Sequence, residues 1–401
     1  MNINRSIFNR LYGEKSEPEI SILLGARQVG KTTLLHQLEA KFKMEGASTR
    51  FYDLESSADL EELSGTNKEV FEKITGSGDV IFIDEFHYLK NASKIFKQIY
   101  DSKSKIKVYA SGSSSLEIHK HLKESLAGRF RKTMIYPLSM EESKQIPKED
   151  LREFLKWGGM PGLIHRKTDD DKMNLLENIV STYVTKDIKA LIKEENVRAF
   201  NSMLYSIAQN QGSLAVAANI SRDAGISEST VANYLEIMSQ TYVCHLIHSY
   251  SKNLANELKK SRKCYLFDIG IRNSLLKDFS YPNEREDKGT VYETFVLLHL
   301  IQQLKPNMEL RFWRTKKGAE VDFILLVNRQ PTPIEVKSDL KEASIPAGMI
   351  SFMNAYPKIL SAYVFNNTIR QDVHFNGRTV HFCLFEDIVD FVDKKIAPTV
   401  T

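Results

Sequence analysis

The segment Gly25-Ala-Arg-Gln-Val-Gly-Lys-Thr32 constrains the fold more than any other stretch of the chain. It fits the pattern GxxxxGK[ST] at every fixed position, and it lies between an apolar run, Ile20–Leu24, and a stretch of helical character, Thr32–Met44. In that setting the glycines let backbone amides curl around an anion, and the helix N-terminus adds a favourable partial charge. The sequence therefore predicts a strand, a phosphate-binding loop and a helix in succession.

The predicted loop belongs to an alternation of short β-rich runs and helical stretches, such as Ser93–Ser102. This alternation is typical of a parallel sheet covered on both faces. The predicted strands are Ile20–Leu24, Arg50–Leu54, Val80–Ile83, Lys107–Ala110 and Thr133–Tyr136. The fold class predicted for this part of the chain is therefore α/β, with a parallel sheet.

The loop residues are assigned roles toward a bound nucleotide. We expect Lys31 to reach the β and γ phosphates of ATP and Thr32 to hold Mg²⁺. Gly25, Gly30 and Thr33 complete the predicted nucleotide-binding set. The predicted cofactors are therefore ATP and Mg²⁺.

Two acidic residues follow a second apolar strand. Asp84 and Glu85 come directly after Val80–Ile83, at the edge where ligands bind in parallel sheets. We predict that Asp84 holds the magnesium ion and that Glu85 polarises the attacking water. The strand Lys107–Ala110 ends in small polar residues, of which Ser113 is the first candidate to orient that water. A plain Ser/Gly turn is the alternative there.

In this order the elements resemble AAA-type ATPases, in particular a bacterial and archaeal group with a C-terminal domain of unknown function. The resemblance covers essentially the whole chain. The motifs that carry it are Tyr52-Asp-Leu-Glu55, Asp84-Glu85, Ser111-Gly-Ser113, Gly128-Arg-Phe130 and Gly158-Gly-Met-Pro161.

The resemblance assigns a catalytic role in a neighbouring subunit to Arg129, which lies between a predicted helix, Ser115–Leu126, and the strand that begins at Thr133. An arginine at that point neutralises charge that develops in the transition state. Arg131 is the alternative, and an ordinary surface position is a further alternative for both residues. The implied assembly is a homo-oligomer, either a dimer at the least or a hexameric ring.

The pattern of the chain changes near Pro137 and again after the basic stretch Lys259–Lys263. From Glu141 to about Ser251 the chain is predicted to be nearly all helical. Beyond it, a long apolar helix, Thr290–Leu304, precedes a hairpin. The predicted strands of that hairpin are Val321–Val327 and Thr332–Val336. We predict an AAA-type ATPase domain at 1–140, a helical lid and winged-helix domain at 141–260, and an α/β restriction-endonuclease-like domain at 261–401.

The middle part contains the pattern of a helix-turn-helix. A helix, Ala217–Ala224, is followed by a glycine-containing turn and a second helix that Ser227 is expected to cap. The residues expected to point outward from the second helix are Glu228, Ser229, Thr230 and Asn233. Since no arginine is among them to read guanine, DNA contact there would be with phosphates. Leu246–Tyr250 is expected to form a wing, and a structural or subunit-contact role is the alternative.

The C-terminal hairpin carries an acid on one strand and Glu-x-Lys on the next. Strand periodicity places Glu335 and Lys337 on one face, and Asp322 can meet them across the hairpin. The carboxylates of Asp322 and Glu335 can hold a divalent metal, while the lysine orients or activates water. Glu293, on the long apolar helix, is expected to reach the same metal.

This arrangement resembles the PD-(D/E)xK nuclease core, with Glu293, Asp322, Glu335 and Lys337 as the matching residues. Val321 stands where the family pattern has proline, a position without a chemical role. The resemblance implies metal-dependent DNA cleavage. A chance D…ExK pattern in a charged hairpin is the alternative, but strands this apolar would not carry three charged groups without a purpose.

Composition limits the remaining possibilities. A net charge of +4 over 401 residues does not indicate nucleic-acid binding, so any DNA-binding face must come from local clustering. Three cysteines without ligand spacing argue against a zinc site. The chain has no apolar run of membrane-spanning length and no signal-peptide pattern at Met1–Tyr12. We expect a cytoplasmic protein that does not enter membranes.

These features lead to three functional hypotheses. The first is an oligomeric, Mg²⁺-dependent ATP hydrolase that binds, remodels or processes DNA (duplex, single-stranded or branched), with cleavage by the C-terminal domain. The second is a signalling or chaperone-like ATPase whose C-terminal modules bind protein. The weakly charged second helix and the modest net charge favour it. The third is an ATP-gated DNA binder whose nuclease site is inactive.

Overall fold

The computed structural model describes residues 3–113, 127–184, 197–215, 217–251 and 262–396. They form two compact units. The first consists of Met1–Leu138, Met160–Ile164 and Ile237–Val243. The second consists of Ser139–Gly159, His165–Glu236 and Cys244–Thr401.

The first unit is built on a five-stranded sheet in the order β2-β3-β4-β1-β5. Its strands are β1 (Ile20–Gly25), β2 (Thr49–Asp53), β3 (Val80–Asp84), β4 (Lys107–Ser113) and β5 (Phe130–Met134). Every pairing is parallel. The predicted parallel α/β sheet is therefore confirmed, with strand ends within about three residues of the predictions.

Helices cover this sheet. They are Phe8–Gly13, Lys31–Met44, Ser57–Glu62, Asn67–Gly76 and Ala92–Asp101. The helix Asn67–Gly76 begins at a capping box, in which Thr66 and Glu69 satisfy each other's backbone amides. The helix Ala92–Asp101 turns Ile95, Phe96 and Ile99 into the core. β1 and β3 are buried along their whole length, so the core lies between the inner strands and the helices.

The second unit is built on a mixed eight-stranded sheet in the order β12-β13-β11-β10-β9-β8-β6-β7. Its strands are β6 (Cys244–Ser249), β7 (Arg262–Leu266), β8 (Met308–Arg314), β9 (Glu320–Val327), β10 (Gln330–Val336), β11 (Ser361–Asn366), β12 (Gln371–Phe375) and β13 (Arg378–Leu384). β6 comes from the range predicted as the middle domain and β7 from the range predicted as the C-terminal domain. The two ranges therefore share one sheet, and their division into separate domains stays a proposal.

The helices in the second unit lie before and between these strands. They are Met140–Ser143, Leu151–Trp157, Asp169–Ile179, Val197–Gln209, Ala217–Ala224, Glu228–Gln240 (whose last four residues belong to the first unit), Ile269–Leu276, Lys288–Gln302 and Ala347–Ala355. The long apolar helix is Lys288–Gln302, two residues earlier than predicted. Its residues Phe295, Val296 and Leu300 are fully buried, as the apolar pattern predicted.

The predicted helix-turn-helix segment forms two helices with a tight turn. Gly225 adopts a φ of +67°, and the backbone amide of Thr230 donates to the Ser227 hydroxyl at 3.1 Å, which is the expected N-cap. The side of the second helix that was predicted to be apolar is buried. The exposed residues of this second helix include Glu228, Ser229 and Asn233.

The strand Leu246–Tyr250, which was expected to form a wing, belongs to the eight-stranded sheet instead. It is β6, an inner strand paired with β7 on one side and with β8 on the other. Since both of its edges are paired, it is part of the large sheet and not a separate wing. The lysines that follow this strand in the sequence, Lys252, Lys259 and Lys260, lie outside the described residues.

The C-terminal hairpin is tighter than predicted. β9 and β10 are joined by Asn328 and Arg329 alone, with φ of +49° and +67°. Two successive left-handed residues are typical of a type I′ turn, whose twist matches that of the paired strands. The register of this turn places the end of β10 beside the start of β9.

Two further features concern the cysteines and membrane-spanning segments. Cys244, Cys264 and Cys383 are free and buried. Among the residues that the structure describes, no helix is both long and apolar enough to cross a membrane.

Candidate functional site

The phosphate-loop sequence forms a tight connection between β1 and the helix Lys31–Met44. Gly30, just before the helix, has a φ of +91°, a conformation that side chains rarely adopt. At Gly25 a Cβ atom would lie 2.1 Å from the backbone oxygen of Ile135. Both fixed glycines of the motif are therefore required by the backbone, one for its conformation and one for close packing.

Lys31 is the first residue of the helix, and its side chain is buried. Its ammonium group donates to the backbone oxygens of Gly25 (3.2 Å) and Ala26 (2.9 Å). The charge therefore lies along the inside of the loop. Thr32 and Thr33 follow in the first turn and are exposed, so their hydroxyls are accessible beside the loop.

Arg5 braces the loop from outside the motif. Its guanidinium donates to the backbone oxygen of Val29 at 3.0 Å and to that of Tyr136 at 2.7 Å. These contacts connect the phosphate loop to the segment that follows β5. Sequence reasoning missed Arg5 because a residue so far from the motif carries no local signal.

Asp84 is a buried carboxylate at the end of β3. It accepts hydrogen bonds from the Ser111 hydroxyl and from the backbone amide of Glu85 (3.1 Å). β3 and β1 lie on either side of β4 in the parallel sheet. The acidic strand end and the phosphate loop therefore lie at the same edge, as predicted.

Glu85 has an unusual backbone for a residue with a side chain. Its φ is +48° and its ψ is +50°, a conformation that costs free energy and is often found at functional sites. Its carboxylate Oε2 lies 3.2 Å from Nδ1 of His87, a close electrostatic contact without hydrogen-bond geometry.

Ser113 closes β4 and pairs in register with Gly25, so its backbone lies beside the start of the phosphate loop. Ser111, two residues earlier on the same strand, makes the observed contact with Asp84. The water-orienting role of Ser113 stays a prediction. The helix predicted at Ser115–Leu126 lies outside the described residues.

Arg129 lies at the opposite end of the strands from its own phosphate loop. Its backbone oxygen accepts from the amide of Ile20, the first residue of β1. The length of β1 separates this point from Gly25, about 17 Å at the usual rise of a strand. Its side chain pairs with Asp101 at 2.8 Å, whereas Arg131 pairs with Glu17 at 3.1 Å. In this geometry the Arg129 guanidinium lies far from the phosphate loop of its own chain.

The C-terminal hairpin brings three of the predicted nuclease residues together. The Asp322 amide donates to Glu335 Oε2 at 3.3 Å, and the Val336 amide donates to Asp322 Oδ2 at 2.9 Å. Lys337 Nζ donates to Glu335 Oε1 at 2.7 Å. Glu335 is buried, while Lys337 is half-buried. The predicted acid-and-lysine arrangement across the hairpin is therefore present.

Glu293 joins this cluster from the helix Lys288–Gln302, through residues that sequence reasoning missed. Lys263 Nζ lies 3.2 Å from Glu293 Oε1 and 2.7 Å from Glu320 Oε1. The Tyr265 hydroxyl donates to Glu293 Oε1 at 2.5 Å. Lys263 and Tyr265 project from the same face of β7 because residues two apart share a face. We name Lys263, Glu293, Glu320, Asp322, Glu335 and Lys337 the carboxylate–lysine cluster.

The carboxylates of this cluster affect one another's ionisation. Burial, and then the nearby charge of Asp322, raise the pKa values of both Glu293 and Glu335, against the opposing effect of the lysines. Burial disfavours the charged form of Lys337, but Glu335 and Asp322 outweigh it and raise its pKa. Within the described ranges, no group of three or more His, Cys, Asp or Glu side chains is arranged to hold a metal ion. In this structure the carboxylates of Glu293, Glu320 and Glu335 are paired with the ammonium groups of Lys263 and Lys337. The cluster is therefore not an open metal site.

Three segments of the chain match known protein families. Residues 17–144 match the AAA domain. Residues 148–281 match a domain of unknown function (DUF8612), and residues 288–383 match another (DUF4143). The first match agrees with the phosphate loop and the parallel sheet, and it supports a P-loop ATPase domain in this part of the chain.

Similar whole proteins come from bacteria and archaea. An uncharacterized protein of Mycobacterium tuberculosis is 25% identical over 321 residues, which cover 79% of this chain and 70% of that protein. An uncharacterized protein of Methanocaldococcus jannaschii is 27% identical over 365 residues, covering 85% and 79%. AMPPCP-bound DnaA from Aquifex aeolicus superposes with a TM-score of 0.32 and 14% identity over 58% of this chain and 86% of DnaA. A superposition at that level identifies no shared fold.

Proposed function

We propose that this protein is a Mg²⁺-dependent ATP hydrolase that acts on DNA. One observation carries the proposal: the phosphate loop, 25–32, and the acidic pair Asp84–Glu85 lie at one edge of the parallel sheet. Ligands of parallel α/β sheets bind at the carboxyl ends of the strands. The match of residues 17–144 to the AAA domain supports the same conclusion.

The phosphate loop would bind the triphosphate. Its backbone amides and the helix N-terminus favour negative charge. The Lys31 ammonium group is already inside the loop, bonded to the backbone oxygens of Gly25 and Ala26. When the triphosphate binds, Lys31 would exchange these oxygens for phosphate oxygens. Thr32 and Asp84 are the residues that would hold Mg²⁺, with Thr33 beside them. The ion supplies charge neutralisation to the phosphates. Asp84 fits this role because it is a buried carboxylate whose partner, Ser111, orients it.

Glu85 would activate the attacking water. Its backbone is left-handed, and most of its side chain is shielded from solvent. His87 lies against the carboxylate and would hold its orientation. General-base catalysis of this kind contributes about 10² to 10⁴ in rate. Ser113, at the end of the neighbouring strand, would orient the same water.

Arg129 would act on a nucleotide bound to a neighbouring subunit. It lies at the wrong end of the sheet to reach its own phosphate loop, and its ion pair with Asp101 is partly exposed and therefore weak. Exchanging that pair for a phosphate of a second molecule costs little. The proposed active form is therefore a homo-oligomer, with a hexameric ring as one possible arrangement.

DNA is proposed as the partner because two parts of the second unit have features suited to it. The second helix of the helix-turn-helix segment exposes small polar side chains, which can contact phosphates. The carboxylate–lysine cluster holds all four residues that match the nuclease pattern. Asp322 and Glu335 would hold the metal for cleavage, with Glu293 and Lys337 beside them, once the two carboxylates turned away from their present partners, the Val336 amide and Lys337.

The proposal is tested by incubating the full-length protein and Mg²⁺ with single-stranded, duplex and branched DNA, with and without ATP. An Asp322→Ala variant serves as the control for cleavage. We expect DNA to bind and to change the rate of ATP hydrolysis, and cleavage to be lost in the variant. If no DNA binds or alters ATP turnover, the proposed role on DNA is wrong. Equal cleavage by the variant would exclude the cluster as its source.

A second candidate is a signalling or chaperone-like ATPase that binds protein through its second unit. The observation that favours it is the helix Glu228–Gln240, which contains no lysine or arginine. A DNA-contacting helix usually carries such residues. The two candidates differ in salt dependence: DNA affinity that falls steeply with salt reports phosphate contacts, and a flat response favours protein partners.

A further inference from the structure

The strand β12 lies at one edge of the eight-stranded sheet. It pairs with β13 on one side, and within the described part of the chain no strand pairs with its other side. Three of its five residues, Gln371, Asp372 and His374, are exposed. Natural proteins commonly protect such an edge with a lysine, a proline or a β-bulge, because an open strand can pair with another chain. β12 contains none of these three features.

The hairpin turn determines which backbone groups of β12 point outward. Asn376 and Gly377 join β12 to β13 with φ of +48° and +73°, values typical of a two-residue type I′ turn. The two residues that flank such a turn form a hydrogen-bonded pair, and these pairs alternate along an antiparallel ladder. Alternate residues of β12, beginning with Phe375, therefore direct their N–H and C=O groups toward β13. Those of Asp372 and His374 point to the open edge.

A second copy of β12 can satisfy these outward groups in an antiparallel register with a two-fold axis at Val373. Asp372 then lies opposite His374 of the second copy, and each such pair exchanges two backbone hydrogen bonds. The neighbouring symmetric registers that also satisfy the backbone place Asp372 opposite Asp372, or His374 opposite His374. Two carboxylates in that position repel each other, and two imidazoles lack the anionic acceptor. The sequence of β12 therefore favours the register centred at Val373.

The side chains of β12 fit this register on both faces of the sheet. Oδ1 of Asp372 lies 2.8 Å from Nδ1 of His381, so Oδ2 can accept from a second donor. Nδ1 of His374 lies 3.2 Å from the Thr379 hydroxyl, so Nε2 can be that donor. On the opposite face, Val373 would meet Val373 of the second copy and extend the apolar cluster against which it already packs. Polar pairs on one face and an apolar pair on the other therefore favour the same contact.

We propose that the outer edge of β12 is a docking surface for a second copy of this chain, which pairs with it antiparallel about a two-fold axis at Val373. The contact extends the eight-stranded sheet into the second molecule. Because so short a ladder buries little surface, we expect a reversible dimer with a dissociation constant in the micromolar range. The contact needs neither nucleotide nor DNA, and it is separate from the proposed action of Arg129 on a neighbouring subunit.

The first test is sedimentation velocity of the full-length protein without nucleotide, at roughly 1 to 100 µM. We expect the wild type to change from monomer to dimer over this range. His374→Pro removes an outward N–H, a change that an edge strand tolerates, and it is expected to stay monomeric with an unchanged circular dichroism spectrum. His374→Asp places carboxylates opposite carboxylates and should weaken the dimer at least tenfold. Adding Asp372→His to it restores the complementary pairs and should restore the dimer.

The second test is cross-linking, which reports the register. Val373→Cys places two thiols in a non-hydrogen-bonded pair, where the Cα atoms lie about 4.5 Å apart and a disulfide can form. Gln371→Cys is the matched control, since this register separates its two Cα atoms by roughly 14 Å along the strands. The three native cysteines are buried. With oxidised glutathione, we expect covalent dimers of Val373→Cys and few of Gln371→Cys.

Three results would overturn the inference. They are a wild type that is monomeric at every concentration, a His374→Asp dimer as stable as that of the wild type, and equal cross-linking of the two cysteine variants. Each leaves the ATPase proposal untouched, because no nucleotide is present in either test.

Discussion

The His299 side chain makes a specific prediction about protonation. It is 2% exposed on the helix Lys288–Gln302, with Nδ1 2.8 Å from the Phe295 backbone oxygen and Nε2 3.0 Å from the Met140 amide. A carbonyl oxygen only accepts, so Nδ1 carries the proton, and the amide only donates, so Nε2 must keep its lone pair. Both contacts require a neutral imidazole.

Burial lowers the pKa of His299 to about 4, from an ordinary value of 6.5. One pKa unit corresponds to about 1.4 kcal/mol, so the folded protein disfavours protonation of His299 by roughly 3 kcal/mol. The unfolded chain binds this proton more readily than the folded chain between pH 6.5 and 4. The contribution of His299 to stability is therefore complete above pH 6.5 and is lost progressively as the pH falls toward 4.

The assay is a pH titration by NMR of protein labelled with ¹³C-histidine, followed at the ring Cε1–H signals. A His299→Gln variant identifies the signal, and His245→Gln identifies that of His245, whose pKa burial also lowers to about 4. We expect the His299 signal to stay at its neutral position down to pH 5, and to titrate near 6.5 in urea-unfolded protein. A midpoint near 6.5 in the folded protein would refute the reasoning.

The nucleotide site supports two further predictions. Gly25→Ala should abolish binding of a fluorescent ATP analogue, because the added Cβ would lie 2.1 Å from the Ile135 backbone oxygen. The control Gly13→Ala, whose Cβ would have no atom within 4 Å, should bind the analogue normally. Normal binding by Gly25→Ala would contradict the packing argument. Arg129→Ala should slow ATP hydrolysis roughly a thousandfold with little change in ATP affinity. Mixing it with Lys31→Ala protein should restore turnover, and failure to do so would exclude action between subunits.

The phosphate loop and the parallel sheet of the first unit could be predicted from sequence because their signals are local. The loop from Gly25 to Thr32 contains its own glycines, lysine and hydroxyl, and the strand Val80–Asp84 is a continuous apolar run that ends in acid. Such runs predict buried parallel strands. The contributions of Arg5 and His87 were not predictable, since each depends on contacts formed only after the sheet is assembled.

The carboxylate–lysine cluster was predicted in part. The hairpin pattern identified Asp322, Glu335 and Lys337, because strand periodicity and a short turn place them together. Lys263 belongs to a basic stretch that is typical of an exposed edge, but in the fold it lies in β7 and is buried against Glu293 and Glu320. For the same reason the strand Leu246–Tyr250 was mistaken for a wing: its sequence does not reveal that both of its edges are paired.

The most direct test of the account is the rate of phosphate release by wild type and Glu85→Gln at low salt, with and without DNA, together with ATP binding. The account predicts that both proteins bind ATP with similar affinity, that the variant hydrolyses it about 100-fold or more slowly, and that DNA changes the wild-type rate. Wild-type turnover by Glu85→Gln, or a wild-type rate that DNA leaves unchanged, would contradict it.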